Sequence, residues 1–533
     1  MKKRTLLTCG LAAALFAGCS SDDKLTVDDG TVANGTGYVS LRIALPSTSS
    51  GMRADNQAND QYDEGVANEY KVNDVTLVFF NGDKEVLSTH KLAGFSETAT
   101  DNKDGITVEY TLATQKVSEN ARFVLVLLNK PDAVKTDVAT FDKLNEAIDC
   151  SDVKTLTGGD SYDSFFMSNT TLSNGTQSQT LVPIVPQTTI AKAEANKAIV
   201  YVERAVGKVE MSHAEGAGTN WEGWKYTIPS DAAVYAEDEI TINQWDIDLT
   251  NKKTYPVRKY DNSWSSYARM LSANTYGGSW KRTYWAEDPN YNVDAAGELD
   301  DNPTFSSMTT KLYCLENTFD VKHMKQNNST RVLLKANYKP QGFSDGETWY
   351  LLANSSTPKH ENAILKAVQD VVSGVTILNL PAGKTLKDNY RTSYFKKGSD
   401  DVTTDELDAI KDKISSITKY DAGICYYAVR IQHFGSWYTP WGSETSAPTP
   451  SGADDAFYNY VTDPKNADIN TYYLGRYGIV RNNLYQLMLN SISAPGEPTI
   501  PTPADQPDDI TNYYISATVK IMDWAVRKQS VNL

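Results

Sequence analysis

Between Gly37 and Leu45 the chain alternates without a break: Val39, Leu41, Ile43 and Leu45 are apolar, and the residues between them are small or polar. A period of two is the spacing of one face of a β-strand, so this stretch must lay that face on a core or leave four aliphatic side chains in water. The same logic recurs along the first half. Val75 to Phe80 is an apolar run that meets Asn81-Gly82, and Asp83 to Leu92 runs back out. Asn-Gly between two such runs predicts a tight hairpin with both turn residues at positive φ. Ile106 to Leu112 alternates, while Arg122 to Leu128 is continuously apolar, as suits an inner sheet position. Further strands are predicted at 165–168, 181–185, 199–206 and 240–249. Seven or eight strands at short spacing predict a β-sandwich.

From about residue 254 the chain has longer loops, and 277–301 is dense in Trp, Tyr, Asn and Asp. Strands are predicted at 330–338, 348–352, 424–432 and 513–524. Helices interrupt them at 361–372 and 405–417, the second opened by a capping-box pair, Thr403 and Glu406. A shorter helix is predicted over 140–148. At 533 residues the chain exceeds what one core usually serves. The expected fold is mainly β: two β-sandwich-like domains, 54–255 and 256–533, with a few short helices.

The first 53 residues have a different character. Lys2, Lys3 and Arg4 precede an apolar run from Leu11 to Ala17, and Gly18-Cys19 follows. A basic start, a short apolar stretch and small residues before the cut describe a secretory signal. A cysteine directly after a small residue is what lipoprotein maturation requires, so residues 1–19 read as a lipoprotein signal with Cys19 as the lipidated residue. Residues 20–53 read as a pro-segment carrying the alternating strand. It ends in a small, polar loop whose Arg53-Ala54 suits a trypsin-like cut. Arg42 is a rival by residue type, but it lies inside the strand. No later window approaches the ~18 apolar residues of a membrane span, so membrane attachment is expected only through the lipid on Cys19.

Net charge is -16, which argues against a nucleic-acid partner, since phosphates need a basic face. Cys150, Cys314 and Cys425 lie far apart and read as small buried hydrophobes, with a bridge between one pair left open. The five histidines show no ligand spacing, so no metal and no cofactor is expected. Gly342 to Gly346 matches GxSxG but lacks the strand-then-helix context of a nucleophile elbow, and reads as a hairpin loop. Asp101 to Gly105 lacks calcium-loop spacing and reads as another hairpin turn. The acidic pairs Asp22-Asp23, Asp400-Asp401 and Asp454-Asp455 read as solvated loops. No catalytic residues are expected and the chain reads as a non-enzyme. The aromatic loop from Trp280 to Tyr291 could stack on sugars, although packing inside the domain is the commoner use.

An edge strand that is cut away leaves unpaired backbone groups and an apolar groove. The C-terminus could refill it. The chain is strand-like to its last residue: Ile515, Val519 and Ile521 alternate, and Trp524, Val526, Val531 and Leu533 continue the apolar supply. These residues form either a terminal strand of their own domain or a donor strand for the next subunit's groove, a head-to-tail contact that builds filaments. Both 513–523 and 524–533 have suitable apolar positions.

Taken in order, several stretches resemble a known family: Cys19 and Arg53-Ala54, FFMSN (165–169), IVYVERAVGKVE (199–210), NKKTYPVR (251–258), RTYWAEDPNY (282–291), YCLENTF (313–319), YGIVRNNLYQL (477–487) and ATVKIMDWAVRKQSVNL (517–533). The chain resembles the major fimbrial subunits, or fimbrillins, of the Bacteroidetes, nearest the Mfa1 type of the type V pilus. The resemblance implies export as a lipoprotein precursor to the outer membrane and a cut after Arg53 by a trypsin-like or gingipain-type protease. It further implies polymerisation by donor-strand exchange into a cell-surface fimbrium that contributes to adhesion. The implied partners are copies of itself, anchor and tip subunits, that protease, and host or bacterial surface ligands. The lack of a C-terminal extension favours a shaft subunit over an anchor. The alternatives are a stalk or tip adhesin and a glycan-binding surface lipoprotein that uses the aromatic loops.

Overall fold

A computed structural model describes residues 35–46, 66–92, 95–99, 106–216, 218–267, 270–276, 278–294, 298–353, 355–381, 383–387, 389–434, 474–508 and 515–523. The fold is mainly β, with a few short helices. Cys19, Arg53, Ala54, Asp101–Gly105, Asp22-Asp23, Asp454-Asp455, Trp524, Val526, Val531 and Leu533 lie outside the described residues.

One long sheet organises the first part. Its strands run side by side in the order Val86–Leu92, Val75–Phe80, Phe123–Leu128, Met167–Asn169, Ala198–Arg204, Leu41–Pro46, Ile106–Leu112 and Phe95–Ala99. The continuous apolar runs take the inner places, as their composition demands. Every residue of Val75–Phe80 is buried, and so is Val124 to Leu128. The Asn-Gly hairpin forms, but with a longer turn than expected. Val75–Phe80 and Val86–Leu92 pair antiparallel, while the left-handed residue between them is Lys84, at φ 61°, rather than Asn81 or Gly82. The Asn81 side chain explains the difference. Its Oδ1 accepts the N–H groups of Asp83 and Glu85 at 3.0 and 2.9 Å, closing a wider loop without a two-residue turn.

The core changes between Val206 and Val209, well before residue 255. The first core runs from Val39 to Val206, with Val257 and Leu315 added; the second runs from Val209 to Ile515. The sequence hid this because Ala198–Arg204 and Gly207–His213 follow each other almost directly, yet belong to different sheets. Gly207 sits at the crossing, where a Cβ would meet Ile479 Cγ2 at 2.6 Å. The second core packs the strands Glu239–Asp248, Arg331–Lys339 and Ile424–Arg430 against Gly207–His213 and Asn483–Ile492.

Buried charges tie these parts together, each with a partner. Arg258 grips Glu203 through two contacts of 2.7 and 2.8 Å, and Arg481 meets Glu316 at 2.7 Å. Lys208 meets Glu69 at 2.6 Å, which fixes the short helix Ala67–Tyr70.

The helices are shorter than their apolar stripes. Thr404–Lys413 opens with the expected Thr403/Glu406 capping box, but Ile417 is buried as the first residue of the strand Ile417–Tyr420. Glu361–Gln369 buries Ile364 and Val368. The predicted helix at 140–148 is a single turn, Phe141–Leu144, because Ile148–Asp149 pairs with Lys253–Thr254.

Candidate functional site: the slot filled by the N-terminal strand

The alternating stretch forms two successive strands. Thr36–Val39 pairs antiparallel with Gln115–Ser118, and Tyr38 exchanges backbone hydrogen bonds of 2.8 Å with Gln187. Ser40, itself buried, is the joint; its carbonyl accepts the Ala198 N–H at 3.0 Å. Leu41–Pro46 then enters the long sheet, and here the edge-strand expectation is corrected. This strand is interior. It runs parallel to Ala198–Arg204, with Leu41, Arg42, Ile43 and Ala44 beside Ala198, Ile199, Val200 and Tyr201. On its other side it runs antiparallel to Ile106–Leu112, with Arg42, Ile43, Ala44 and Leu45 beside Thr111, Tyr110, Glu109 and Val108. The register shifts between Leu45 and Pro46, where proline has no N–H to give the ladder.

All four apolar positions named from sequence are buried: Val39 at 4%, Leu41 and Ile43 at 0%, Leu45 at 6%. Ala44 is buried as well, so both faces of this strand meet protein. Burying four such side chains is worth roughly 6–12 kcal/mol, at ~1.5–3 kcal/mol each. Taking the strand out would leave a slot with two unpaired walls, each presenting a row of N–H and C=O groups. The slot contains one charge pair that sequence reading missed. Arg42 Nη1 lies 3.2 Å from both carboxylate oxygens of Glu109, whose side chain is 9% exposed against 35% for Arg42. The signal was available only through register, because the two residues are far apart in sequence.

The C-terminal strand has fewer neighbours. Ile515–Asp523 pairs antiparallel with Asn483–Ile492 and ends the sheet whose other strands are Gly207–His213 and Leu312–Cys314. Among the described strands nothing pairs with its outer side. Ile515 is buried in the second core, and Val519 and Ile521 lie in this strand beside Leu487 and Tyr485.

The other candidates from sequence are absorbed by the fold. Trp285 and Tyr284 are buried with Phe319, Phe434 and Tyr477 in an aromatic core, so this part of the aromatic loop is interior and offers no face to a sugar. The GxSxG stretch links Arg331–Lys339 to Trp349–Leu352, which belong to different sheets, so it is a crossing loop and not a hairpin. Glu347 accepts the Ser344 N–H at 3.0 Å there. Asp400–Asp401 forms a short exposed strand, with Lys396 2.8 Å from Asp401. Phe95–Ala99 and Ile106–Leu112 pair antiparallel on either side of Asp101–Gly105. Cys150, Cys314 and Cys425 are free and buried. Burial pushes the Cys425 thiol up to about 12. Among the described residues no group of His, Cys, Asp and Glu has the arrangement of a metal site.

Comparison with known proteins bears on the same strands. Residues 38–204 match the family of the major fimbrial subunit protein (FimA), a stretch that contains the slot strand and both its walls. Residues 455–530 match the C-terminal region of fimbrillin, the type IV major fimbrial subunit protein, and contain the pair Asn483–Ile492 and Ile515–Asp523. Both matches are thus to families of fimbrial subunits. No curated protein matches the sequence. Among solved structures, a fimbrilin (FimA) from Porphyromonas gingivalis W83 is 11% identical with a TM-score of 0.35, covering 92% of this chain and 99% of that one. The tip fimbrial protein Mfa3 of Porphyromonas gingivalis, with a C-terminal truncation, is 11% identical with a TM-score of 0.34, covering 92% and 100%. A fimbrial assembly protein from Parabacteroides distasonis is 10% identical with a TM-score of 0.29, covering 58% and 83%.

Proposed function

We propose, from the premise that fimbrillin-type stretches occupy both ends of this chain, that it is a structural subunit of a cell-surface fimbria, made as a lipoprotein precursor. In this reading Cys19 carries the lipid that holds the precursor at the outer membrane. The segment 36–46 completes the first core during export. A trypsin-like protease then cuts after Arg53, the segment leaves, and the C-terminal strand of the next copy takes its place. Repetition builds a head-to-tail filament that contributes to adhesion, with other fimbrial subunits at its ends.

The observation that carries this reading is the interior position of Leu41–Pro46. A strand with a neighbour on each side cannot be lost without replacement, whereas Ile515–Asp523, held on one side, is the cheaper strand to move. Glu69 adds to the support. Its pairing with Lys208 holds the chain just downstream of the proposed cut, so that only the upstream part is free to go. The test is Arg53→Ala. The variant is expected to fold and to stay monomeric in the presence of the protease, as read by light scattering and electron microscopy. Filaments of normal length from the uncut variant would overturn the proposal.

A further inference from the structure

Resting on that reading, we infer that Glu109 selects and registers the incoming strand by demanding a cation, and that the cation is Lys520 of the next copy. The slot as observed is not purely apolar. Its occupant supplies Leu41, then Arg42, then Ile43, and the middle residue neutralises Glu109 from 3.2 Å. Glu109 is 7% exposed. Among the described residues Arg42 is the cation bonded to it. When the strand leaves, that carboxylate stands in the wall of an open slot, where water can solvate it. A replacement strand excludes the water again, and a buried carboxylate without a partner opposes insertion. The slot therefore accepts an apolar–cation–apolar triplet and resists a strand that lacks one.

Within the C-terminal strand-like stretch, Tyr513 to Leu533, that triplet occurs once, as Val519-Lys520-Ile521. Arg527 and Lys528 follow each other and break the alternation. Setting Lys520 at the place of Arg42 puts Val519 at Leu41 and Ile521 at Ile43. It puts Ala517 at Val39 and Met522 at Ala44, the residue directly opposite Glu109. Both strands run in the same chain direction in this alignment, as replacement requires. The match stops at Asp523, which falls at Leu45, the last residue before the register to Ile106–Leu112 shifts. This assigns the slot to the segment 517–522 in preference to 524–533.

The experiment uses the full-length chain, cut after Arg53, with polymerisation followed by light scattering. Lys520→Gln is expected to slow polymerisation ~10-fold or more, a tenfold change being the scale of ~1.4 kcal/mol, and Lys520→Arg is expected to retain it. Charge reversal guards against a simple folding defect. The pair Arg42→Glu with Glu109→Lys keeps a salt bridge in the precursor but leaves a cation in the open slot. That protein should fold and fail to polymerise, and adding Lys520→Glu should restore filaments. If the wild-type chain does not polymerise after the cut, the fimbrial reading itself fails. If it does polymerise, and Lys520→Gln is as fast or the third substitution gives no rescue, the assignment of Lys520 is wrong.

Discussion

Ile43 is the best place to ask whether the N-terminal strand is a removable part of an otherwise finished core. Its side chain is 0% exposed, and its backbone lies between Val200 at 0% and Tyr110 at 1%. Ile43→Ala removes three methyl or methylene groups from a site walled on both sides, so the slot cannot collapse around the smaller residue. Core Ile→Ala changes cost ~2–5 kcal/mol. A 533-residue chain with more than one core is not a two-state system, so the cost belongs to local opening of the strand and not to a global transition. Opening exposes the amides of 198–204 and 106–112 that face the strand. When reclosing is faster than exchange, a cost of ~2–5 kcal/mol accelerates their hydrogen exchange ~30-fold to several thousand-fold, at ~1.4 kcal/mol per tenfold. The second core, which shares no residue with this slot, is expected to exchange at its normal rate. After the cut and strand replacement the substitution should have no effect, because residue 43 has left. Val200→Ala, in the wall, should weaken precursor and filament alike. Unchanged exchange along the walls of the Ile43→Ala precursor, or a weakened filament built from it, would refute the reasoning.

Other buried groups give two separate tests. Burial pushes the Asp288 carboxyl up to about 7, against the lowering pull of the Thr318 and Asn290 N–H groups and the Asn251 amide. Since the unfolded group titrates near ~4, the folded protein holds this proton more tightly between about pH 4 and pH 7. The stabilisation is therefore complete below pH 4 and lost as pH rises through 7, at ~1.4 kcal/mol per unit. The melting temperature of the wild type relative to Asp288→Asn should fall across that window; a constant difference from pH 4 to pH 8 would contradict it. The second test concerns the thiols. Burial raises all three, the Cys425 thiol to about 12, so at pH 8 they should resist alkylation until denaturant is added. In protein lacking residues 1–19, prompt labelling under native conditions would show that they are not enclosed.

The residues that were readable in advance are those whose structure follows from neighbours in sequence. Alternation at Val39, Leu41, Ile43 and Leu45 told which side chains would be buried, and they are. The Thr403/Glu406 capping box told where a helix starts. What alternation cannot tell is how many neighbours a strand has. Period two is a statement about faces, and the edges of a strand carry only N–H and C=O groups that look the same in every sequence. Hence Leu41–Pro46 read as an edge strand and is an inner one. The same limit concealed the change of core at 206–209, since two strands in different sheets follow each other with only Ala205 and Val206 between them. It also concealed Glu109, whose charge means little until register sets it beside Arg42.

The mixed surroundings of Leu41–Pro46 restrict what can replace it more tightly than apolar fit does. Along Ala198–Arg204 the hydrogen bonds are evenly spaced and slanted, as in a parallel pair; along Ile106–Leu112 they alternate between narrow and wide, as in an antiparallel pair. Each wall is held on its far side, to Met167–Asn169 and to Phe95–Ala99, so the groups that face the slot stay in place for a replacement. A strand entering in the reverse direction would exchange the two patterns, becoming antiparallel to Ala198–Arg204 and parallel to Ile106–Leu112. A shift of one residue would turn the apolar side chains out of the core and the charge into it. Face and charge thus narrow the registers that a replacement can take, and in the proposed alignment Val519 and Ile521 take the places of Leu41 and Ile43 while Lys520 takes that of Arg42.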